Sequence, residues 1–463
     1  MKNKLFLPII LLFFLTTIIN AQKEPKIPIP TKAQLAWQNS ELVAVFHYDL
    51  HVFDGKKYNQ KENRITPAPD YNIFNPKNLD TDQWVRSAKA MGAKIAILTA
   101  THETGFALYQ SDVNPYSLKA LKWRDGKGDI VRDFVNSCKR YDVLPGIYIG
   151  IRWNSFYGIH NFKVQGDNEF TVNRQQHYNR ICEGMVKELC SKYGDLAIVW
   201  FDGGAHGPEQ GGPDVLSIFE KYQPNGLFYH NLQRSDIRWG GSESGTVPYP
   251  CWGTFAHAAW FDKRGDNEGF KPIKYGDPTG KYYMPAMSDA PLRGYNGRHE
   301  WFWEPEDEKH IFPLKNLMHM YKNSVGHNSS LILGLTPNAE GLMPEPDVIR
   351  LKEFGDAIKD RYSNPIAKTS GKGKKIMLKL NNRKKVNHLV LMENIEQGER
   401  IREFSIEGKT THGWKTLAEG SSVGHKYIVE FNDVEVSALR LIIKQSIGEP
   451  IIQEFSVYHS QIN

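Results

Sequence analysis

The stretch Leu196-Ala197-Ile198-Val199-Trp200-Phe201-Asp202-Gly203-Gly204 decides the fold. Its unbroken apolar run reads as a strand buried on both faces, as parallel strands are. The two glycines end the strand and let another group approach the backbone closely. Asp202 is thereby set at the carboxyl end of a buried strand, where α/β barrels carry their chemistry. An Asp in this place can equally cap the next helix, so its surroundings decide between the two.

The same arrangement recurs on either side. Residues 42–46 run into His47, 95–99 into Thr101-His102-Glu103, and 144–151 into Arg152-Trp153-Asn154. Residues 226–230 run into Asn231 and 330–335 into Thr336-Pro337. Helix-like patterns occupy 82–91, 129–141, 173–193 and 314–324 between them. Strand and helix in alternation predict a parallel sheet with crossover helices, and polar residues after each strand place the site on one end of a (β/α)8-like barrel. Beyond about Pro365 the period changes. A Gly/Ser/Lys-rich link at 370–375 leads into short alternating segments at 376–380, 386–392, 427–431, 438–444 and 451–458, which predict a β-sandwich. The expected organisation is a catalytic barrel over 22–365 and a C-terminal β-sandwich domain over 366–463.

At the N-terminus Lys2 and Lys4 precede an apolar run from 5 to 19 and the small residue Ala21. This predicts a cleavable signal peptide over 1–21 and a secreted or periplasmic protein. The run is short for a membrane span, and no later segment is a candidate for one. A net charge of +6 on 463 residues, without a nucleic-acid-binding motif, argues against a nucleic-acid partner. Cys138, Cys182, Cys190 and Cys251 lack metal-ligand spacing and read as buried thiols. His47 and His51 are four apart on a strand followed by a loop, not on a helix, so no catalytic metal is expected, and no cofactor. Eleven Trp and 21 Tyr suit a site that stacks on sugar rings. Oligomeric state is not legible at this level.

Several motifs, in order, resemble glycoside hydrolase family 29, the retaining α-L-fucosidases, and most closely its subfamily B. They are Phe74-Asn75-Pro76, Asp80 with Trp84, His102-Glu103-Thr104-Gly105-Phe106, and the start of a helix at 127–132. Further along come Trp200-Phe201-Asp202-Gly203, the segment Arg238-Trp239-Gly240-Gly241-Ser242-Glu243-Ser244-Gly245, and Ser324-Val325-Gly326-His327-Asn328. The tail around 393–404 resembles the family's C-terminal sandwich. The resemblance implies an exo-acting glycosidase that removes terminal α-L-fucosyl or α-L-galactosyl residues from an oligo- or polysaccharide by double displacement. Asp202 matches the nucleophile and Glu243 the acid/base. A retaining glycosidase needs such a pair about 5–5.5 Å apart, one carboxylate to attack and one acid to protonate the leaving oxygen. Asp202 suits the first role on a rigid strand end, and Glu243 the second in a Gly/Ser-rich loop.

The expected sugar-binding residues are His47, His102, Glu103, Trp153, Lys57, Arg293 and Trp301. His47 and His102 stand where the family's hydroxyl-binding histidines stand, and Trp301 resembles the aromatic beside the fucose methyl. Three positions depart from the family. His-His-Asp becomes His102-Glu103-Thr104, a Glu-Trp pair becomes Lys57-Tyr58, and a Glu becomes Met287. A Lys57–Glu103 pair would present both donor and acceptor to a hydroxyl that fucose lacks, which points to L-galactosides; alternatively Lys57 would meet a sulfate on an algal-type L-sugar. A catalytically inactive carbohydrate-binding relative is the alternative from another functional class.

Overall fold

The structure is a computed structural model in which residues 27–166, 168–260, 272–297 and 301–460 are described. The expected signal segment lies outside them. Eight strands form one sheet: β1 (Leu42–Phe46), β2 (Ile95–Thr101), β3 (Leu144–Ile149), β4 (Ile198–Ala205), β5 (Leu227–Asn231), β6 (Arg238–Trp239), β7 (Ala286–Pro291) and β8 (Ser329–Leu335). They pair in the order β5-β4-β3-β2-β1-β8-β7-β6, every pairing parallel. The sheet nearly closes into a barrel. Across the remaining gap, Asp236 donates its backbone N–H to the Phe228 carbonyl at 3.0 Å and accepts the Phe228 N–H on its carboxylate at 2.7 Å.

Side chains on each strand alternate between two cores, as the period of two requires. Val43, Val45, Ile97, Tyr148, Ile198, Trp200 and Ile332 pack inside the barrel. Ala44, Phe46, Leu98, Ile149, Val199 and Phe201 pack outward against the helices. Four of those helices begin behind a polar cap whose side chain accepts the N–H three residues on, satisfying a donor the helix cannot. The caps are Asp80 for α2 (Thr81–Ala90), Asp129 for α3 (Ile130–Arg140), Asn168 for α4 (Glu169–Lys192) and Asp214 for α5 (Val215–Tyr222). Helix α1 (Lys32–Ser40) precedes β1 and buries Trp37 completely. Helices α6 (Leu314–Ser324) and α7 (Glu345–Tyr362) flank β8. All four cysteines are buried thiols.

The C-terminal part is an antiparallel sheet of six strands: β9 (Ala367–Lys372), β10 (Lys375–Glu393), β11 (Ile401–Thr410), β12 (Gly413–Gly420), β13 (Tyr427–Ser446) and β14 (Ile451–Tyr458), in the order β9-β14-β10-β13-β11-β12. The segments read as separate strands at 376–380 and 386–392 are two halves of β10, and those at 427–431 and 438–444 are two halves of β13. Between the halves Lys384 pairs with Val436 and Lys385 with Glu435, so the chain runs on instead of turning back. The register slips between Lys379 and Lys384 and again between Val386 and His388. Such irregularities bend a strand, and both halves contribute to one core that includes Leu378, Leu391, Leu441 and Phe455. This unit is fastened to the barrel by the buried Glu399, whose carboxylate accepts from Gly253 N at 2.9 Å and Asn328 Nδ2 at 2.6 Å.

Arg293, expected at the sugar site, is a strut of the barrel wall. It is fully buried, donates through Nε and Nη2 to both carboxylate oxygens of Asp347 at 3.0 and 2.5 Å, and also pairs with Asp307. The guanidinium fork matches a carboxylate in two places at once, so it joins the end of β7 to the first turn of α7. Replacing it leaves two buried carboxylates without their cation. Arg293→Met should therefore lower unfolding free energy by about 3–5 kcal/mol, whereas Lys57→Met, at an exposed position, should change it little. Urea unfolding of both variants checks this; a near-native Arg293→Met would remove the strut.

Candidate active site

A cavity of about 650 Å³ opens at the carboxyl ends of the barrel strands. Its floor is Val45, Met287 and Ile332, and its walls carry Trp200, Tyr229, Trp239, Trp260 and Trp301. Strand alternation explains which polar groups enter it. Continuing the inward series Val43, Val45 brings His47 to the mouth, continuing Ile198, Trp200 brings Asp202, and Met287 is followed two residues on by Asp289. All three line the cavity, with His102, Glu103, Trp153 and Glu243. Of the nine residues expected from sequence, seven therefore meet in one place; Lys57 and Arg293 do not.

Asp202 is reached from solvent through the cavity yet is ringed by protein. That surround raises its carboxyl above the usual range and the field of Glu243 raises it further, while Arg152 and Arg64 oppose both. Gly203 follows at φ 68° and Gly204 at 87°, the left-handed region only glycine enters freely. A Cβ at Gly203 would sit 2.5 Å from Arg152 Nη1, so the glycine lets the guanidinium approach the carboxylate. Glu243 enters from the loop after β6. That loop is tied to β7 by Gly240 N–H to the Met287 carbonyl at 2.7 Å and Gly245 N–H to the Asp289 carbonyl at 2.8 Å. The indole N–H of Trp301 donates to Glu243 Oε2 at 3.2 Å. Asp289, only 8 % exposed, accepts from Trp239 Nε1 at 2.8 Å. Burial first, then Glu243 and Asp202, hold its carboxyl well above the ordinary value.

His47 and His102 meet edge to face at 5.7 Å, and His102 stacks on Tyr148 at 5.0 Å. Burial holds both imidazoles neutral, with His47 pushed down to about 3. Nδ1 of each, and Nε1 of Trp200 and Trp260, have no protein partner among the described residues. A buried polar atom without a partner is costly, and these four lie beneath the cavity surface; the polar groups a ligand rich in hydroxyls would meet are the other lining ones, Arg64, Glu103, Asp202, Glu243 and Asp289 among them.

Glu103 is held by Arg64 and Tyr58, not by Lys57. Arg64 Nε donates to Oε2 at 2.8 Å, and the Tyr58 hydroxyl donates to Oε1. Lys57 is exposed and does not line the cavity; adjacent residues of an extended segment point to opposite sides, and here Tyr58 takes the inner one. Arg64 also lies over the Trp153 ring at 4.5 Å. Tyr58, Arg64, Arg152, Trp239, Trp260 and Asp289 are lining residues that sequence reasoning missed. For Asp289 the signal was faint, since its strand is short, with Ser288 beside Asp289 interrupting the apolar residues and Pro291 closing it. Arg64 sits in the loop region after β1, where spacing carries no geometric information.

The α-L-fucosidase family model matches residues 31–361. The chain belongs to the α-L-fucosidase family. It is thus a glycoside hydrolase of family 29, with a carbohydrate substrate. It is 28 % identical to alpha-L-fucosidase 1 of Arabidopsis thaliana, over 94 % of this chain and 88 % of that one. A crystal structure from Bacteroides thetaiotaomicron VPI-5482, described as a "putative alpha-L-fucosidase", superposes with a TM-score of 0.91 at 59 % identity, covering 94 % of this chain and all of the other. A glycoside hydrolase 29 family member from an unknown rumen bacterium superposes at 0.78 with 26 % identity, covering 94 % and 78 %.

In this family member the Glu103 carboxyl is pushed up to about 7. Burial is the main cause, opposed by Tyr58 and Arg64 and aided by Asp49. The folded protein then keeps a proton that the unfolded carboxyl, at 4.5, has released. Stability accordingly falls as pH rises from about 4.5 to about 7, because the native state binds the extra proton there. Glu103→Gln should flatten this part of the profile, measured as urea midpoints between about pH 4.5 and about pH 7. An unchanged slope would mean Glu103 is ionised throughout.

Proposed function

We propose that the protein is a secreted, retaining exo-α-L-glycosidase that hydrolyses terminal α-L-fucosyl residues by double displacement, with Asp202 as nucleophile and Glu243 as acid/base. The observation that carries this reading is the entry of both carboxyls into one cavity from separate supports, close enough for Glu243 to raise Asp202. Asp202 on the strand end attacks the anomeric carbon, with Arg152 and Arg64 favouring its ionised form. Glu243, held by the Trp301 indole, protonates the leaving oxygen and then removes a proton from the incoming water. His47, His102 and Trp153 supply hydroxyl contacts and an apolar face. Retention of both carboxyls in one cavity supports turnover over a binding-only role. Secretion rests on the N-terminal charge and hydropathy pattern.

A second reading, activity on α-L-galactosides, is favoured by the Glu103–Arg64–Tyr58 cluster on the cavity wall. L-Galactose carries one hydroxyl more than L-fucose, and a site built to bond a hydroxyl rejects the analogue lacking it strongly. The sulfated-sugar alternative loses Lys57 as its carrier. Parallel kcat/KM measurements on aryl α-L-fucoside and aryl α-L-galactoside decide between the two glycones. A preference for the galactoside that Glu103→His shifts toward fucoside would establish the second; a fucoside preference of about tenfold or more, untouched by that change, would leave the first alone.

Asp202→Asn should lower turnover at least about 10³-fold while the melting temperature holds, because an amide is a poor nucleophile. Proton NMR of early product should show the α-anomer of the free sugar first. Initial release of the β-anomer would remove the double-displacement assignment.

A further inference from the structure

Besides Asp202, Glu243 and Glu103, a further carboxyl among the described residues, Asp289, lines the cavity, and it is bound to the loop that carries Glu243. Asp289 holds that loop at two points. Its backbone carbonyl accepts the Gly245 N–H at 2.8 Å, and its carboxyl Oδ1 accepts the Trp239 indole N–H at 2.8 Å. Trp239 and Gly245 are the residues where the loop leaves β6 and where it passes Glu243. Gly241 and Gly245, on either side of Glu243, have φ of 85° and 68°, the left-handed region that most residues resist. Glu243 sits between these two turns, and the ties at Trp239, Gly240 and Gly245 fix where they lie.

We propose that Asp289 is a positioning residue whose carboxyl, through its contact with Trp239, sets Glu243 in place for proton transfer. The proposal rests on the assignment of Glu243 as acid/base. Asp289 acts as the neutral acid, with Oδ1 accepting from the indole and the proton on Oδ2. The groups that face it across the cavity are Glu243 from the loop after β6 and Asp202 from β4, with Glu103, Arg64, Arg152, His47, His102 and Tyr148 on the remaining walls. Both nearer neighbours are carboxyls whose fields resist a further negative charge, and burial acts in the same direction. A protonated Asp289 leaves Asp202 free to ionise as nucleophile without a second fixed anion beside Glu243.

The consequence is a defect that depends on the leaving group. Asp289→Ala should lower kcat/KM about 10–100-fold on an alkyl or glycosyl α-L-fucoside, whose leaving oxygen needs a proton, and by less than about threefold on the 2,4-dinitrophenyl fucoside, which does not. Asp289→Asn keeps an acceptor for Trp239 and replaces O–H by N–H, so it should restore both rates and leave the pH limits of kcat/KM where they are. Equal losses on the two substrates, failure of Asp289→Asn to restore, or a shift of about one unit or more in its pH limits would each overturn the proposal. Glu243→Ala, measured in parallel with added azide, separates the two assignments. Leaving-group dependence with azide rescue in Glu243→Ala, but no leaving-group dependence in Asp289→Ala, would sink the role of Asp289 alone; absence of both effects in Glu243→Ala would sink the reading on which it rests.

Discussion

His47, Asp202 and Asp289, at the mouth of this barrel, are placed by the two-residue period of its parallel strands, and the loop groups around them are fitted to that frame. A side chain at an even step from a barrel-core residue points into the barrel, and one at an odd step points to the helices. Val45 therefore commits His47 inward, Trp200 commits Asp202, and Met287 commits Asp289. Shifting any one strand by a single residue would exchange its inner and outer sets and replace a carboxylate at the mouth by an apolar neighbour. The core and the site are in this sense one construction: the residues that fill the barrel also aim the groups beyond it.

That construction assembles a costly collection of charges. Asp202, Glu243, Asp289 and Glu103 share one cavity with Arg64 and Arg152, and the buried histidines stay neutral. The arginines are placed so that their fields reach the carboxylates unevenly: Arg64 bonds Glu103 directly, whereas Arg152 acts on Asp202 across a glycine. Environments that drive carboxyls apart in proton affinity are what acid–base chemistry at one pH requires. Arg293, by contrast, is engaged with Asp307 and Asp347 and serves the barrel wall.

The legible part of this site was the part carried by long apolar strands. His47, His102 and Asp202 each follow such a run, so their positions follow from strand ends. Glu243 was found through a motif, because β6 has two residues and no pattern to detect. The short β7, whose apolar residues are interrupted by Ser288, hid Asp289 for a related reason. Lys57 was misplaced by one residue in a loop, where Tyr58 turns inward instead, and Arg293 was misread because a buried ion pair leaves no periodic trace. In the C-terminal unit the polar residues 381–385 separate two apolar segments in the sequence but continue one bent strand. Local composition names strands well when burial is two-sided and fails where long-range pairing overrides it.

The central claim is that Asp202 becomes covalently bonded to the sugar, and trapping that bond tests it most directly. A 2-deoxy-2-fluoro-L-fucosyl fluoride keeps a good leaving group, while the ring fluorine slows turnover of the intermediate. Attack by the carboxylate expels fluoride and forms an ester. Mass spectrometry of the intact protein should then show one added fluorofucosyl group, and peptide mapping should place it on Asp202. A label on Glu243 or Asp289, or active enzyme that turns over the reagent through no covalent adduct, would contradict the account.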